Sequence, residues 1–226
     1  MINLNVELSQ GIKRWKTAGA RAQAPINWTA TKSNWIEGFP KLSVFLEGLP
    51  TEIDRGTVRN VCTSDSSTVL EKFLATMVWG YSDRAYGAYR VSKMLKQENA
   101  EEILSNVLDL AKGSKPVEAY DFLRCNNIHN LGPSYGTKFI SFISPRETSA
   151  PILDSLILLW LREFASEEFL GINLRALTWN VKTYSSYCDW VAWHAEKHSC
   201  FPDEVELVLF RMAEARFARS SGWSRK

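Results

Sequence analysis

Long apolar runs are missing from this sequence, and cysteine is scarce. No hydrophobic stretch reaches the roughly 20 residues that a membrane-spanning helix needs, and the opening MINLNVELSQ lacks the pattern of a secretory signal peptide. The cysteines form no CxxC pair, which argues against a disulfide framework and favours free thiols in a reducing compartment. We therefore expect a cytoplasmic protein with no membrane segment. The four cysteines are Cys62, Cys125, Cys188 and Cys200.

A strong net charge is also missing, since 27 basic and 25 acidic residues leave only +2. The charges are unevenly spread: residues 11–41 carry +5, residues 81–97 carry +3, and residues 98–121 carry −4. This distribution is typical of a protein with one basic and one acidic face, as a polyanion binder has. Ordinary solvated helix faces explain each run equally well.

Strand patterns are weak, whereas apolar residues recur at helical spacing through most of the chain. Hydrophobic residues make up 45%, a normal globular share, and no internal repeat is present. The sequence therefore predicts an all-α domain. The predicted helices cover a segment from Val69, after cap-like Ser66 and Ser67, to about Gly80, then 84–96, 100–111, 117–124, 155–164, 183–197 and 203–219.

The first forty residues differ from the rest because polar residues alternate with Trp28 and Trp35 and no helical period is visible. We interpret residues 1–40 as an irregular, aromatic-rich extension packed on the core. Residues 41–226 form the helical domain in this interpretation, with a hairpin at about 122–145.

The hairpin is predicted from LGPSYGTK, residues 131–138, which places turn-forming residues between two helical segments. A helix, a short glycine-containing turn and a second helix form a helix-hairpin-helix. Such a turn directs backbone N–H groups at a DNA phosphate without reading sequence.

Lys138 and Asp154 are the candidate catalytic residues. We predict a helix beginning near Thr137, which places Lys138 in its first turn, where the positive helix end and partial burial lower the pKa of the amine from about 10.4. A neutral amine is a nucleophile. Asp154 follows 16 positions later at a predicted N-cap, from which it could stabilise a developing positive sugar or help to deprotonate the attacking group.

Two motifs, Gly136-Thr137-Lys138 and Pro151-Ile152-Leu153-Asp154, resemble the helix-hairpin-helix DNA glycosylases, in the branch of 8-oxoguanine DNA glycosylases. The resemblance implies two helical lobes with a cleft, a monomer acting on double-stranded DNA that contains a modified base, and no cofactor. It also implies that Lys138 attacks the sugar C1′ with Asp154 as its acid–base partner, while the target nucleotide is flipped out of the duplex. Ser134 departs from the family pattern, which has a second glycine there, and Pro133 is an addition. The implied DNA contacts are Gly132, Ser134, Gly136 and Thr137, and we add His129 as a phosphate contact.

A pocket for the flipped base needs stacking surfaces and a hydrogen-bonding edge. The candidates are Trp79 and Tyr81 at the end of a helix, and Asp189 within an aromatic stripe at 184–194, although such stripes at helical spacing are more often core. His194 and His198 are one helical turn apart and suit a shared metal, but Cys188 lies on a different face, so we predict no metal site.

The resulting hypothesis is a DNA glycosylase with AP-lyase activity. Its substrate would be 8-oxoguanine or a modified base of phage DNA, such as glucosylated hydroxymethylcytosine, removed as antiviral defence. One alternative is a non-catalytic helix-hairpin-helix module that only binds DNA. Another is a helical protein-interaction scaffold, which predicts no salt-dependent DNA affinity.

Overall fold

The fold is all-α, as predicted. The computed structural model describes residues 4–81, 84, 86–164 and 178–217. In chain order the helices and strands are α1 (Leu4–Thr17), β1 (Ile26–Asn27), α2 (Lys32–Gly38), α3 (Ser43–Gly48), β2 (Glu52–Ile53), α4 (Arg55–Thr63), α5 (Val69–Tyr81), α6 (Tyr86–Leu95), α7 (Ala100–Lys112), α8 (Pro116–Cys125), α9 (Pro133–Ile143), α10 (Ser155–Phe164), α11 (Val181–His198) and α12 (Pro202–Phe217). Short 3₁₀ helices cover Thr29–Thr31 and Pro40–Leu42. Strands β1 and β2 form an antiparallel pair with Ile26 opposite Ile53.

The predicted helices are present with small shifts at their ends, and the predicted residues 85, 218 and 219 lie outside the described part of the chain. Pro116 occupies the first turn of α8, a position that suits proline. The cap of α5 was assigned to the wrong residues, because Thr68 and not Ser66 or Ser67 forms its capping box, although the helix begins at Val69 as predicted. The Thr68 amide donates to Glu71 Oε2 at 2.7 Å, and the Glu71 amide donates to Thr68 Oγ1 at 3.3 Å.

The prediction of an irregular chain over residues 1–40 is wrong, because α1 and α2 are both helical. Helix α1 has a narrow apolar stripe that includes Leu8 and Ile12, both buried, and it contains Gly11. A Cβ at Gly11 would lie 2.8 Å from Met212 Sδ, so glycine lets α1 lie close against α12. Tertiary packing therefore stabilises a helix whose own sequence pattern is weak.

Contacts divide the chain into two compact units, residues 1–22 with 146–226 and residues 23–145. In the first unit, α12 packs against α1, α10 and α11. The domain boundary at residue 40 stays a prediction, whereas the contact units change at residues 22/23 and 145/146. No described helix has the length and apolar character needed to cross a membrane.

The second unit is built around α5, which packs against α4, α6, α7 and α9. Phe73 of α5 meets Phe139 of α9 edge to face, with ring centroids 5.3 Å apart. Two tryptophans of the N-terminal segment belong to this unit: Trp28 and Trp35 are fully buried, and Trp28 Nε1 donates to the carbonyl of Pro50 at 2.6 Å. The expected packing by aromatic residues is thus present within this unit.

Basic side chains cap the carboxyl ends of two of these helices. Arg59 of α4 donates to the carbonyls of Ser144 at 3.2 Å and Ser141 at 3.4 Å, at the end of α9. Lys72 of α5 is 2% exposed and donates to the carbonyls of Val61, Cys62 and Ser64 at the end of α4. Positive charge at these helix ends satisfies carbonyls that have no helical partner. The position of α9 is therefore set by α4, and that of α4 by α5.

Candidate active site

The predicted hairpin is formed by α8, a turn over residues 126–132, and α9, and the two helices pack together. The chain reverses at Asn130, whose φ of 72° lies in the left-handed region that asparagine tolerates. Gly132 is the extended N-cap of α9, and Pro133 occupies its first turn. A Cβ at Gly136 would lie 2.7 Å from Leu123 Cδ2, so this glycine permits close approach of the two helices.

Gln97, which follows α6, holds the hairpin turn through the backbone of His129. Its Oε1 accepts from the His129 amide at 2.9 Å, and its Nε2 donates to the His129 carbonyl at 3.3 Å. Sequence reasoning missed Gln97, because its partner is 32 positions away and no local motif marks the pair. The His129 side chain is exposed, Gly132 and Ser134 are half-buried, and Gly136 and Thr137 are buried.

Lys138 lies in the second turn of α9, not in the first turn as predicted, because the helix begins at Pro133 rather than near Thr137. The helix macrodipole acts mainly within the first turn. Lys138 therefore lies too far along α9 for the electrostatic cost that was predicted for a cation at the helix end. Its half-buried side chain is placed by neighbours in its own helix. The Nζ donates to Ser134 Oγ at 3.1 Å and lies 5.5 Å from the centroid of the Tyr135 ring.

The aliphatic part of Lys138 passes over Gly80 of α5. A Cβ at Gly80 would lie 3.4 Å from Lys138 Cδ and 3.2 Å from Tyr135 Cε1, so any other residue would crowd both side chains. Tyr135 also stacks on Tyr81, with ring centroids 4.3 Å apart and planes inclined by 12°. Burial raises the pKa of both tyrosines, so each hydroxyl stays protonated at neutral pH.

Trp79 lies one residue before Gly80 and is buried. Its ring meets Phe142 edge to face at 5.1 Å, and the Arg55 guanidinium lies 5.3 Å from the ring centroid. The indole Nε1 has no hydrogen-bond partner among the described residues. An unpartnered buried donor is costly, and it is available to a ligand that reaches it. The two predicted pocket residues of this unit, Trp79 and Tyr81, thus flank the glycine over which Lys138 passes.

Asp154 caps α10, as the sequence predicts for an N-cap. Its Oδ1 accepts from the Ile157 amide at 3.0 Å, and its side chain is half-buried. The preceding residues Ile152 and Leu153 are buried, and the Tyr187 hydroxyl donates to the Ile152 carbonyl at 3.2 Å. Helix α11 therefore fixes the segment that leads to Asp154. Lys138 belongs to the unit of residues 23–145 and Asp154 to the other.

The third predicted pocket residue, Asp189, is on the exposed side of α11. In the aromatic stripe around it, Tyr184, Tyr187 and Trp190 are buried, as the core interpretation expects, whereas Trp193 is 43% exposed. No group of three or more potential metal ligands occurs in the described ranges. His194 and His198 stack with ring centroids 6.0 Å apart, and His198 Nε2 is 2.9 Å from Ser9 Oγ.

Residues 12–210 match the family described as "Putative 8-oxoguanine DNA glycosylase OGG-like protein". The chain belongs to this OGG-like family. The match includes the hairpin, Lys138 and Asp154, so the resemblance drawn from the two motifs is confirmed at the level of the family. No curated protein and no solved structure matches the chain.

Proposed function

We propose that the protein is a DNA glycosylase that removes a modified base through a Schiff base on Lys138. The observation that carries the proposal is the position of this lysine, half-exposed on the second hairpin helix and hydrogen-bonded to Ser134 at 3.1 Å. Membership of the OGG-like family supports action on DNA. Buried lysines that hold a structure together have a different environment, as Lys72 and its three carbonyl partners illustrate.

The hairpin turn is proposed to bind a DNA phosphate. Gly132, Ser134 and the exposed His129 are the accessible members of the predicted set, and a Cβ at Gly132 would meet no atom within 4 Å. Open space at the N-cap lets an anion approach the positive end of α9. The buried Gly136 and Thr137 contribute through packing of the hairpin.

In the proposed reaction the deprotonated Nζ of Lys138 attacks C1′ of the flipped nucleotide. A C–N bond forms, the glycosidic bond breaks with its electron pair leaving on the base, and the base takes up a proton. Opening of the sugar ring gives the Schiff base, and elimination of the 3′ phosphate would cut the strand. Asp154 is proposed as the acid–base partner, since one carboxylate oxygen is held by the Ile157 amide and the other has no hydrogen bond in the described part of the chain.

Two substrate classes follow from this proposal. The family description names 8-oxoguanine, which makes an oxidised purine the first substrate to test. A modified base of phage DNA, such as glucosylated hydroxymethylcytosine, is the second, and removal of it would serve antiviral defence. Trp79 and Tyr81 are proposed to line the base pocket, with the unpartnered indole Nε1 as a donor to the base edge.

Borohydride trapping tests the proposal, because reduction of a Schiff base links the enzyme covalently to its DNA. We expect an adduct with duplexes that carry one of these modified bases, and loss of that adduct in Lys138→Gln. Lys115→Gln is the matched control, since Lys115 is an exposed lysine just before the hairpin. Wild-type protein that binds these duplexes without any adduct or base release would support the non-catalytic DNA-binding module instead.

A double-mutant cycle tests the pairing of Lys138 with Asp154. If both act in one step, Asp154→Asn lowers the rate of base release in the wild type but adds little to the loss caused by Lys138→Gln. Independent, additive losses would remove Asp154 from the reaction and leave it as the cap of α10.

A further inference from the structure

Helix α6 presents two exposed aromatic side chains that neither the hairpin nor the proposed chemistry uses. Tyr86 is 58% exposed and Tyr89 is 62% exposed, which is unusual for side chains of this size. Their orientation is fixed from the other side of the helix, where Gly87, Ala88, Val91 and Met94 are buried against the core. A Cβ at Gly87 would lie 2.7 Å from both Cβ and Cγ of Tyr81, so glycine at this position lets α6 pack closely against Tyr81.

Each exposed ring has a cation beside it. The Arg90 guanidinium lies 5.8 Å from the Tyr86 centroid, and Lys93 Nζ lies 5.4 Å from the Tyr89 centroid. The two ring centroids are 6.4 Å apart. Helix α6 contains no acidic residue, so these charges are not neutralised within the helix. We call Tyr86, Tyr89, Arg90 and Lys93 the aromatic–basic face.

This face is joined to the hairpin turn. Gln97 Nε2 donates to the Met94 carbonyl in the last turn of α6 at 2.9 Å, and the same side chain binds both backbone groups of His129. The end of α6 and the hairpin turn are therefore linked by hydrogen bonds within the unit of residues 23–145.

We propose that the aromatic–basic face binds unpaired DNA, with bases stacked on Tyr86 and Tyr89 and phosphates near Arg90 and Lys93. Aromatic rings that alternate with cations are the arrangement that single-stranded nucleic acid recognises, because every base has a π-face and the backbone is anionic. An intact duplex buries its base faces and can use only the cations. This binding goes beyond base excision and does not require the chemistry of Lys138.

The test is fluorescence anisotropy with an oligothymidylate of about 12 nucleotides. We expect the double variant Tyr86→Ala, Tyr89→Ala to bind this strand about tenfold or more weakly than the wild type. The double variant with phenylalanine at both positions keeps the rings and should bind as the wild type does. Unchanged affinity in the alanine variant would overturn the proposal.

Phe201→Ala is the matched control, because Phe201 is an exposed ring with the Arg146 guanidinium 3.9 Å from its centroid. That cation already pairs with Asp203 at 3.2 Å and Glu204 at 3.3 Å, so its surroundings do not favour a polyanion. The control variant should keep its affinity for oligothymidylate. An equal loss in the Phe201 and tyrosine variants would show that the aromatic–basic face has no special role.

Two further measurements separate this proposal from its competitors. Lys93→Gln should reduce the slope of log affinity against log salt by about 0.7, the value for one phosphate contact on a single strand. Oligothymidylate carries no modified base, so this binding is measured without base excision and failure of the catalytic proposal would leave this one intact. If the tyrosine substitutions instead change the sedimentation of the protein and not its DNA affinity, the face is a contact between copies and the proposal is wrong.

Discussion

At the scale of single residues, the position of the Lys138 amine depends on side chains outside the Gly136-Thr137-Lys138 motif. Its Nζ is held by the hydroxyl of Ser134, four positions earlier on the same face of α9, and lies near the ring of Tyr135. Serine stands where the resemblance leads one to expect glycine, which has no side chain to offer. In this protein the departure from the pattern supplies a hydrogen-bond partner of the proposed nucleophile.

We expect Ser134→Ala to slow Schiff-base formation by about twofold to tenfold, the range that corresponds to loss of one ordinary hydrogen bond that orients the neutral amine. Single-turnover borohydride trapping measures this rate. Ser134→Thr keeps the hydroxyl and should react nearly as fast as the wild type. A variant that loses DNA affinity at an unchanged trapping rate would assign Ser134 to phosphate binding alone.

Sequence reasoning at this scale predicted the cap at Asp154 correctly, but it did not predict the surroundings of Asp154 or Lys138, and the chemistry of Lys138 stays a prediction. The cap could be predicted because an N-cap depends on neighbours along the chain, and the Ile157 amide is three residues away. The role of Gly80 could not be predicted, because it depends on the approach of α9 to α5.

At the scale of secondary structure, helices with a wide apolar face were predicted closely and those stabilised by contacts were not. Ser155–Phe164 has the predicted bounds, whereas the start of α9 was placed about four residues too late, at Thr137 instead of Pro133. The reason is that a proline was taken as part of the turn although it suits the first turn of a helix. Helix α1 was missed because it depends on α12.

The packing of α6 gives a prediction at this scale. Gly87→Ala should lower the free energy of unfolding by roughly 1–3 kcal/mol, because its Cβ would lie 2.7 Å from Tyr81 Cβ, an atom close to the backbone that cannot move far. Urea unfolding followed by circular dichroism measures the change.

Gly48→Ala is the matched control, since Gly48 ends α3 and a Cβ there would meet no atom within 4 Å. It should leave the unfolding midpoint unchanged or raise it slightly. Equal stability of the two variants would contradict the close packing of α6 on α5.

At the scale of the whole molecule, the fold class and family follow from the sequence, while the contact units do not. The chain returns to its first unit after residue 145, so α1 shares a core with helices more than 130 positions away. A linear pattern carries no signal for such a return. His194 is buried in that unit, and its burial makes the free energy of unfolding depend on pH.

Burial, together with nearby His198 and Lys197, lowers the pKa of His194 from 6.5 to about 4. Between these values the unfolded chain binds a proton that the folded protein excludes, so stability is full above pH 6.5 and falls towards pH 4. The loss in the free energy of unfolding that His194 causes when the pH falls below both values amounts to roughly 3 kcal/mol. We expect the urea midpoint to fall more between pH 7 and pH 4.5 in the wild type than in His194→Gln. Parallel curves for the two proteins would show that His194 titrates normally.

The two hydrogen bonds between Gln97 and His129 limit how the hairpin can be transferred to another protein. The turn owes part of its shape to a side chain that lies 32 positions earlier in the chain. A peptide of residues 116–143 would lack both of these hydrogen bonds, as would a chimaera that received only the hairpin. Transplantation of the hairpin therefore requires α6 and its following glutamine as part of the graft.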